Sequence, residues 1–292
     1  MMNKHYRIGG HLFGVEGELL CSLLTRMSGF APFETEAREG ACAFSFTESH
    51  ATAIPTFGNV QYRFVYEEIA SCFGVTSQGD YLLEMQPEGE TPLRMWTHKG
   101  SHRLSLCGNL CIRLVRFALW IGYGLMTFSK QTVALHGSCI VYQGQGVVFL
   151  GESGTGKSTH TRLWQEHVSG ATLLNDDSPV IRWEEGKIQI YGSPWSGKTP
   201  CYKAECYPLA GCVRLRQAPF NQLTKLPILQ AYGALHPSCP PEFAYDEELC
   251  DEVSKTLDCV LRTVPVYELA CLPDKEAVRT VQSALTPLLQ MK

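Results

Sequence analysis

The chain has little charge and no excess of basic residues. Only 18% of its 292 residues are charged, and 25 Lys and Arg against 29 Asp and Glu give a formal net charge of −4. General nucleic-acid binders usually carry a strong basic footprint, so the composition argues against nucleic acid as a partner. Hydrophobic residues make up 45% of the chain, which is enough to build a sizeable core in one large domain or two smaller ones.

Paired cysteine motifs are also missing. The thirteen cysteines include no CxxC pair, and the closest pairs, Cys107/Cys111 and Cys201/Cys206, have no second pair or histidine at zinc spacing. Scattered, unpaired thiols are typical of a reducing compartment. We therefore expect free and mostly buried thiols in a cytoplasmic protein.

Long apolar runs without charge are absent. Glu16 and Glu18 interrupt the N-terminal stretch, which predicts no signal peptide. The run over 109–128 is long enough to cross a bilayer, but it contains Arg113 and Arg116, each of which costs about 3 kcal/mol at a membrane centre. We expect this run to be a buried core helix, and we expect no membrane partner.

The remaining patterns predict an α/β fold with a mixed sheet, preceded by a mainly β region. Residues 1–104 are expected to form a β-rich domain to which no motif assigns a role, and residues 105–292 a second domain. In the first, short alternating runs separated by turn residues predict an antiparallel meander. The expected elements there are a helix over 16–27 and strands over 80–86, 93–99 and 102–108.

In the second domain, the stretch 132–154 predicts two strands joined by a Gly-Gln-Gly turn, in which Gly144 and Gly146 supply positive φ. The Pro-rich stretch 232–246 is expected to be a surface loop. The other expected elements are strands over 170–183, 187–195 and 266–272 and helices over 246–265 and 273–285.

A phosphate-binding motif is the strongest signal in the chain. The stretch "GESGTGKS" has the Gly-x-x-x-x-Gly-Lys-Ser spacing, with an apolar strand before it and a helix pattern after it. Its glycines allow backbone N–H groups to converge on phosphate oxygens, and the start of the helix adds a positive end. Lys157 is expected to reach the β- and γ-phosphates of ATP, and Ser158 to ligate Mg²⁺. The expected nucleotide-binding residues are Gly151, Glu152, Ser153, Gly154, Thr155, Gly156, Lys157, Ser158 and Thr159.

Two adjacent aspartates follow about 20 residues later, in "NDDSP". A carboxylate at the end of a strand near such a loop is suited to holding Mg²⁺, and a second one to accepting the proton of an attacking hydroxyl. We expect Asp176 to bind the metal and Asp177 to act as the base. Taken alone, the pair is more typical of turn or capping residues, and its distance from the phosphate loop is what favours the catalytic interpretation.

Two further side chains are candidates for catalysis. His136, in "LHGS", is expected on the strand before the hairpin. The neighbouring strand ends in the loop, so His136 is a candidate to face the γ-phosphate; a lone histidine in an apolar strand is otherwise a core residue. Lys198, in "YGSPWSGK", is placed to neutralise charge on the transferred group. Arg162, Arg214 and Arg216 are weaker candidates for phosphate contacts.

The order "LHGS…GESGTGKS…NDDSPV" over residues 132–195 resembles the catalytic core of HPr kinase/phosphorylase, and more distantly the ATP-dependent phosphoenolpyruvate carboxykinases. It also resembles HPr-kinase-like proteins encoded beside peptide-modification genes, which share the "YGSPWSGK" segment. The resemblance implies ATP at the loop, metal at Ser158, proton transfer by Asp177 and a catalytic role for His136. It departs at the family's metal-binding glutamate, for which Glu205 is a loose candidate, and at the segments that engage HPr.

The sequence therefore predicts an ATP- and Mg²⁺-dependent kinase that phosphorylates a hydroxyl, most simply a serine in a protein, a peptide or the free amino acid. One alternative is an ATP-binding switch or assembly factor, for example in peptide maturation, without phosphotransfer. A remote alternative is a carboxykinase-type enzyme. Assembly into a homo-oligomer is left open.

Overall fold

A computed structural model of the chain describes residues 2–36, 42–197 and 199–289. The chain divides into two compact units: Met1–Phe128 with Glu242–Cys250, and Ser129–Pro241 with Asp251–Lys292. The expected boundary after residue 104 lies earlier in the chain than the observed one, because the helix that follows residue 104 belongs to the first unit. That helix belongs to the first unit because Gly122, in its middle, lies against Phe46 and Leu104 of the first sheet.

The first unit is built on an eight-stranded sheet in the order β1-β2-β3-β8-β7-β6-β5-β4. Its strands and helices, within the described residues, are β1 (Asn3–Ile8), β2 (His11–Glu16), α1 (Glu18–Arg26), β3 (Phe44–Glu48), β4 (Phe57–Tyr66), β5 (Ile69–Thr76), β6 (Tyr81–Gln86), β7 (Leu93–Thr97), β8 (Arg103–Gly108) and α2 (Ile112–Thr127).

The predicted meander is confirmed, since β4 through β8 pair antiparallel in chain order. The sheet is nevertheless mixed, because β3 lies parallel to both β2 and β8. The helices predicted over 16–27 and 109–128 are also confirmed, as α1 and α2. No helix in the described chain is long and apolar enough to cross a membrane.

The second unit holds the remaining elements. They are β9 (Thr132–Ala134), β10 (Gly137–Tyr142), β11 (Gln145–Leu150), α3 (Lys157–His167), β12 (Thr172–Asn175), β13 (Val180–Glu184), β14 (Lys187–Tyr191), β15 (Cys206–Gln217), β16 (Gln222–Lys225), α4 (Ile228–Leu235), α5 (Glu247–Thr263), β17 (Val266–Cys271) and α6 (Lys275–Leu289). The first residues of α5, up to Cys250, belong to the first unit.

A nine-stranded mixed sheet forms the second unit. The order β12-β10-β11-β15-β14-β13-β9 is extended by β17, which pairs with β15, and by β16, which pairs with β17. The strand β11 lies parallel to β15, and β15 parallel to β17. One face carries a core of buried side chains from β10, β11, β15 and β17 packed with α3 and α6, centred on Phe149, Trp164 and Leu269. The predicted α/β class with a mixed sheet is confirmed.

The hairpin before the loop corrects one prediction. The strands β10 and β11 are joined by Gln143 and Gly144, whose φ values of 51° and 74° are both positive, as a two-residue turn requires. Gly146 does not supply positive φ. It lies within β11, where a Cβ atom would come 2.4 Å from Cγ2 of Ile190, so the glycine is needed for space.

The Pro-rich stretch 232–246 is not a surface loop. It contains the end of α4 and two 3₁₀ helices, His236–Ser238 and Pro241–Tyr245. Ser238, Cys239, Glu242 and Phe243 are buried, since the stretch packs its apolar side chains and buries two polar ones with them. The prediction of an exposed connector was therefore wrong.

The thirteen cysteines are all free, and five of them are buried. The expectation of unpaired thiols is confirmed. The expectation that most are buried is wrong, since the other eight are half-buried or exposed.

Candidate active site

Three chain segments that are distant in sequence meet at one edge of the second sheet. The strand β10 runs antiparallel to both of its neighbours, with Gly137 opposite Leu150 of β11 and Cys139 opposite Asn175 of β12. The start of β10 therefore lies beside the ends of β11 and β12. As a result, His136, the loop after β11 and the aspartates after β12 share this edge.

The loop 151–156 joins β11 directly to α3, as the motif predicted. Gly151, Gly154 and Gly156 have φ values of 144°, 84° and 102°, a region that side chains rarely adopt. Lys157, Ser158 and Thr159 form the first turn of α3, so their N–H groups stand at its positive end. The predicted nucleotide-binding residues thus form one continuous turn of backbone that is suited to an anion.

Lys157 makes three contacts with its ammonium group. Its Nζ lies 2.7 Å from the carbonyl of Gly151, 3.1 Å from that of Glu152 and 3.1 Å from Nε2 of His136. An ammonium has three protons to donate and no acceptor. The third contact therefore requires an unprotonated Nε2 on His136. Burial lowers the pKa of Lys157, and the charges of Asp177 and Asp176 oppose this shift.

His136 also faces the aspartates. With Nε2 accepting, the neutral ring carries its proton on Nδ1, which lies 3.3 Å from Oδ1 of Asp177. The two backbones are joined as well, since the N–H of Gly137 donates to the carbonyl of Asp177 at 2.8 Å. The histidine was expected on a strand; it lies instead in the bend between β9 and β10. Its backbone N–H donates to the carbonyl of Ser238 at 2.6 Å, outside the strand ladder.

The two aspartates have different surroundings. Asp176 is 5% exposed; its Oδ1 accepts from the hydroxyl of Ser138 at 3.0 Å and its Oδ2 from the N–H of Thr199 at 3.2 Å. Ser138 also bonds Thr161 of α3, whose hydroxyl reaches the carbonyl of Ser158. The side chain of Asp177 is 35% exposed, and only this carboxylate of the pair is open to an incoming group.

Asn175, which the sequence reasoning missed, holds the pair in place. Its side-chain N–H groups donate to Ser193 and to the carbonyl of Trp195, and its Oδ1 accepts from the N–H groups of Asp177 at 2.9 Å and Ser178 at 2.8 Å. The residue is fully buried. The signal was present in the sequence, because an asparagine at a strand end often bonds the backbone two residues on.

A cavity of about 550 Å³ lies on the opposite side of the loop. It is lined by residues 151–155, by the end of β15 from Arg214 to Gln217, and by Glu268 of β17. Two of the three weaker arginine candidates are therefore beside the loop. The third, Arg162, is exposed on α3 and pairs with Glu166.

Two other predicted residues lack support. Lys198 lies outside the described residues. Glu205 is exposed and accepts a hydrogen bond from Tyr207. In the described ranges 2–36, 42–197 and 199–289, no group of three or more His, Cys, Asp or Glu residues is arranged to hold a metal ion.

Comparisons with known proteins add little to this geometry. A scan against models of protein families found no match, and a search of curated proteins found no relative. Among solved structures, the chain is similar to the Hpr(Ser) kinase/phosphatase from Coxiella burnetii, with 11% identity over 53% of this chain and 94% of that chain and a TM-score of 0.32. A likeness at this TM-score supports no conclusion about activity, so the function rests on the site itself.

Proposed function

We propose that the second unit is an ATP-dependent phosphotransferase that acts on a hydroxyl group. The observation that carries this proposal is the contact chain Lys157–His136–Asp177, in which the two nitrogens of one imidazole ring lie 3.1 Å from the lysine and 3.3 Å from an accessible carboxylate. A loop that only binds nucleotide needs no such carboxylate. Phosphoryl transfer to a hydroxyl needs one within reach of the γ-phosphate.

In the proposed reaction, each residue has a role set by its surroundings. The N–H groups of 151–158 hold the triphosphate, and Lys157 adds a cation. Asp177 accepts the proton of the acceptor hydroxyl, because its carboxylate is the exposed one. His136, with its ring proton directed at that carboxylate, orients it. These contributions are mainly positioning and charge stabilisation, as is usual for phosphoryl transfer.

The donor set also fits Mg²⁺. Oxygen ligands are those that this cation prefers, and the buried carboxylate of Asp176 is linked through Ser138 and Thr161 to the helix turn that carries Ser158. Asp176 and Ser158 would hold the ion, whose charge would offset that of the phosphates. Asp176 retains lone pairs beyond its two present hydrogen bonds.

The test is transfer of label from γ-labelled ATP in the presence of Mg²⁺. Acceptors are free serine, serine-containing peptides and a protein fraction. Lys157→Ala is expected to abolish binding and transfer. Asp177→Asn is expected to weaken binding, because it removes a charge that supports the charged form of Lys157, but to lower transfer at saturating ATP at least 100-fold, since general-base catalysis contributes about 10²–10⁴-fold. The matched control is Asp258→Asn, an exposed carboxylate of α5 that pairs with Arg262.

The results separate the proposal from its main alternative. Label on a hydroxyl that depends on Asp177 and not on Asp258 supports the kinase. Tight binding of ATP with no transfer to any acceptor contradicts it and favours an ATP-binding switch. No binding of ATP to the wild-type protein contradicts both.

A further inference from the structure

The cavity beside the loop is a second, chemically distinct part of the site. The acid–base residues His136, Asp176 and Asp177 lie on the β10–β12 side of the loop strand, whereas the cavity lies on the β15–β17 side. A triphosphate held by the loop has two different ends. If its γ-phosphate faces Asp177, as the proposed function requires, its other end is directed towards the cavity.

The size of the cavity suits that end. Its volume of about 550 Å³ lies within the range of roughly 300–1,000 Å³ in which small-molecule sites fall. The loop residues 151–155 form one of its walls, so a molecule in the cavity is continuous with a phosphate on the loop. A ribose and base attached to that phosphate would enter the cavity directly.

Polar side chains and Leu215 line the cavity, and one of the polar groups stands out. In the parallel pair β15/β17, Arg214 lies opposite Glu268, and both are on the sheet face away from the core side chains Leu215 and Leu269. Glu268 accepts a hydrogen bond from Nε of Arg216 at 3.0 Å. The β15/β17 wall thus carries one carboxylate beside two arginines and Gln217, and Glu152 of the loop is the other acidic residue in the lining.

A carboxylate is an unfavourable neighbour for a phosphate chain, and stability does not explain it. The side chains of Arg216 and Glu268 are 54% and 33% exposed, and exposed ion pairs of this kind add little to stability. A carboxylate does suit the hydroxyls of a ribose, for which acidic side chains are the usual acceptors in nucleotide sites. Arg216 holds the carboxylate in one orientation.

We propose that the cavity binds the nucleoside end of the triphosphate and that Glu268 is a specificity residue, accepting hydrogen bonds from the ribose hydroxyls. This inference rests on the proposed function for the identity of the phosphate ligand. It makes Glu268 responsible for the preference for a ribonucleotide over a bare phosphate chain. Arg216 acts through Glu268 and is a positioning residue.

The test measures dissociation constants by titration calorimetry with Mg²⁺ for ATP, 2′,3′-dideoxyATP and inorganic triphosphate. Wild-type protein is expected to bind ATP at least about tenfold more tightly than the dideoxy analogue, since tenfold is the effect of losing one hydrogen bond to a charged group and the analogue lacks both hydroxyls. Glu268→Ala is expected to weaken the binding of ATP about tenfold, to the level of the analogue. The binding of triphosphate is expected to be unchanged or tighter. The control is Glu276→Ala, which removes an exposed carboxylate on α6 that pairs with Arg279.

The opposite signs make the test decisive. If Glu268 serves only to pair with Arg216, its removal frees a cation beside the loop. The binding of ATP and the binding of triphosphate then become tighter by the same factor. That result, or equal binding of ATP and its dideoxy analogue by the wild type, would overturn the inference while the proposed function stands. A wild-type protein that binds neither ATP nor triphosphate would overturn both.

Discussion

Replacement of Asn175 by alanine tests whether one buried amide holds the two aspartates of the proposed site in place. The side chain is fully buried and joins β12 to two other segments. Its Oδ1 accepts from the backbone N–H groups of Asp177 and Ser178, and its Nδ2 donates to Ser193 and Trp195. Alanine removes all of these bonds and adds no new partner.

The expected loss of stability follows from the groups that are left behind. Two N–H groups lose their acceptor and the carbonyl of Ser193 loses its donor, and a buried polar group without a partner costs about 1–3 kcal/mol. The carbonyl of Trp195 is spared, because it also accepts from the hydroxyl of Ser193 at 3.2 Å. Asp177 is half-buried, so its N–H contributes at the low end. The sum is about 4 kcal/mol, and movement of Asp177 by about 1 Å is expected to lower transfer about 100-fold.

Urea unfolding followed by circular dichroism measures the free energy of unfolding. Binding of inorganic triphosphate reports separately whether the phosphate loop still binds an anion. The matched control is Asn221→Ala, since Asn221 also accepts from a backbone N–H, that of Leu272, and donates to Asp274, but is half-buried and lies away from the site. It should cost about 1 kcal/mol and leave transfer unchanged. Equal stability of Asn175→Ala and wild type, or equal transfer by the two alanine variants, would refute the reasoning.

Three further predictions follow from buried groups and from the loop. Burial raises the pKa of Glu242 to about 7. Its contribution to the free energy of unfolding is therefore fully present below pH 4.5, and about 3 kcal/mol is lost as the pH rises through 7. Glu242→Gln should abolish this loss, as measured by free energies of unfolding from urea titrations between pH 5 and 8. Burial lowers the pKa of His160 to about 4. The free energy of unfolding should therefore be about 2 kcal/mol lower at pH 5 than above pH 6.5. It should not change over this range in His160→Gln, which keeps an acceptor for Trp164. Gly151→Ala should weaken triphosphate binding more than Gly154→Ala in calorimetry, because both residues have positive φ but only the first would place a Cβ against Thr155, at 2.6 Å.

The sequence predicted the loop and its two flanking elements because the information there is local. The strand "GVVFL" and the helix from Lys157 to His167 appear as expected, since glycine spacing, apolar alternation and helix pattern all lie within about 25 residues of each other. The order of the motifs also placed Asp176 and Asp177 correctly near the loop. The sequence did not predict that the aspartates follow β12, which is separated from the loop strand β11 by β10.

What could not be predicted depends on pairing between distant strands. His136 was expected on a strand, but β9 pairs with β13 and β10 with β11, so the chain bends where it changes partners. The cavity arises likewise from the parallel pairing of β15 with β17. Arg214 and Arg216 alternate with apolar residues in "CVRLRQ", which indicates a strand with one polar face, but their place beside the loop requires knowledge of the neighbouring strand.

Lys157 and the aspartates form one electrostatic unit, so phosphate binding and proton transfer cannot be divided cleanly between them. Burial lowers the pKa of Lys157, and the negative charges of Asp177 and Asp176 partly offset this shift by favouring the charged lysine. An uncharged lysine is a poor partner for phosphate, so each aspartate supports the anion site in addition to its own chemistry. The charged lysine in turn donates to Nε2 of His136, which fixes the ring proton on the nitrogen that faces Asp177. Because a change at Asp177 affects the base, the histidine and the lysine together, binding and transfer must be measured separately in the same variant before any loss of activity is assigned to proton transfer.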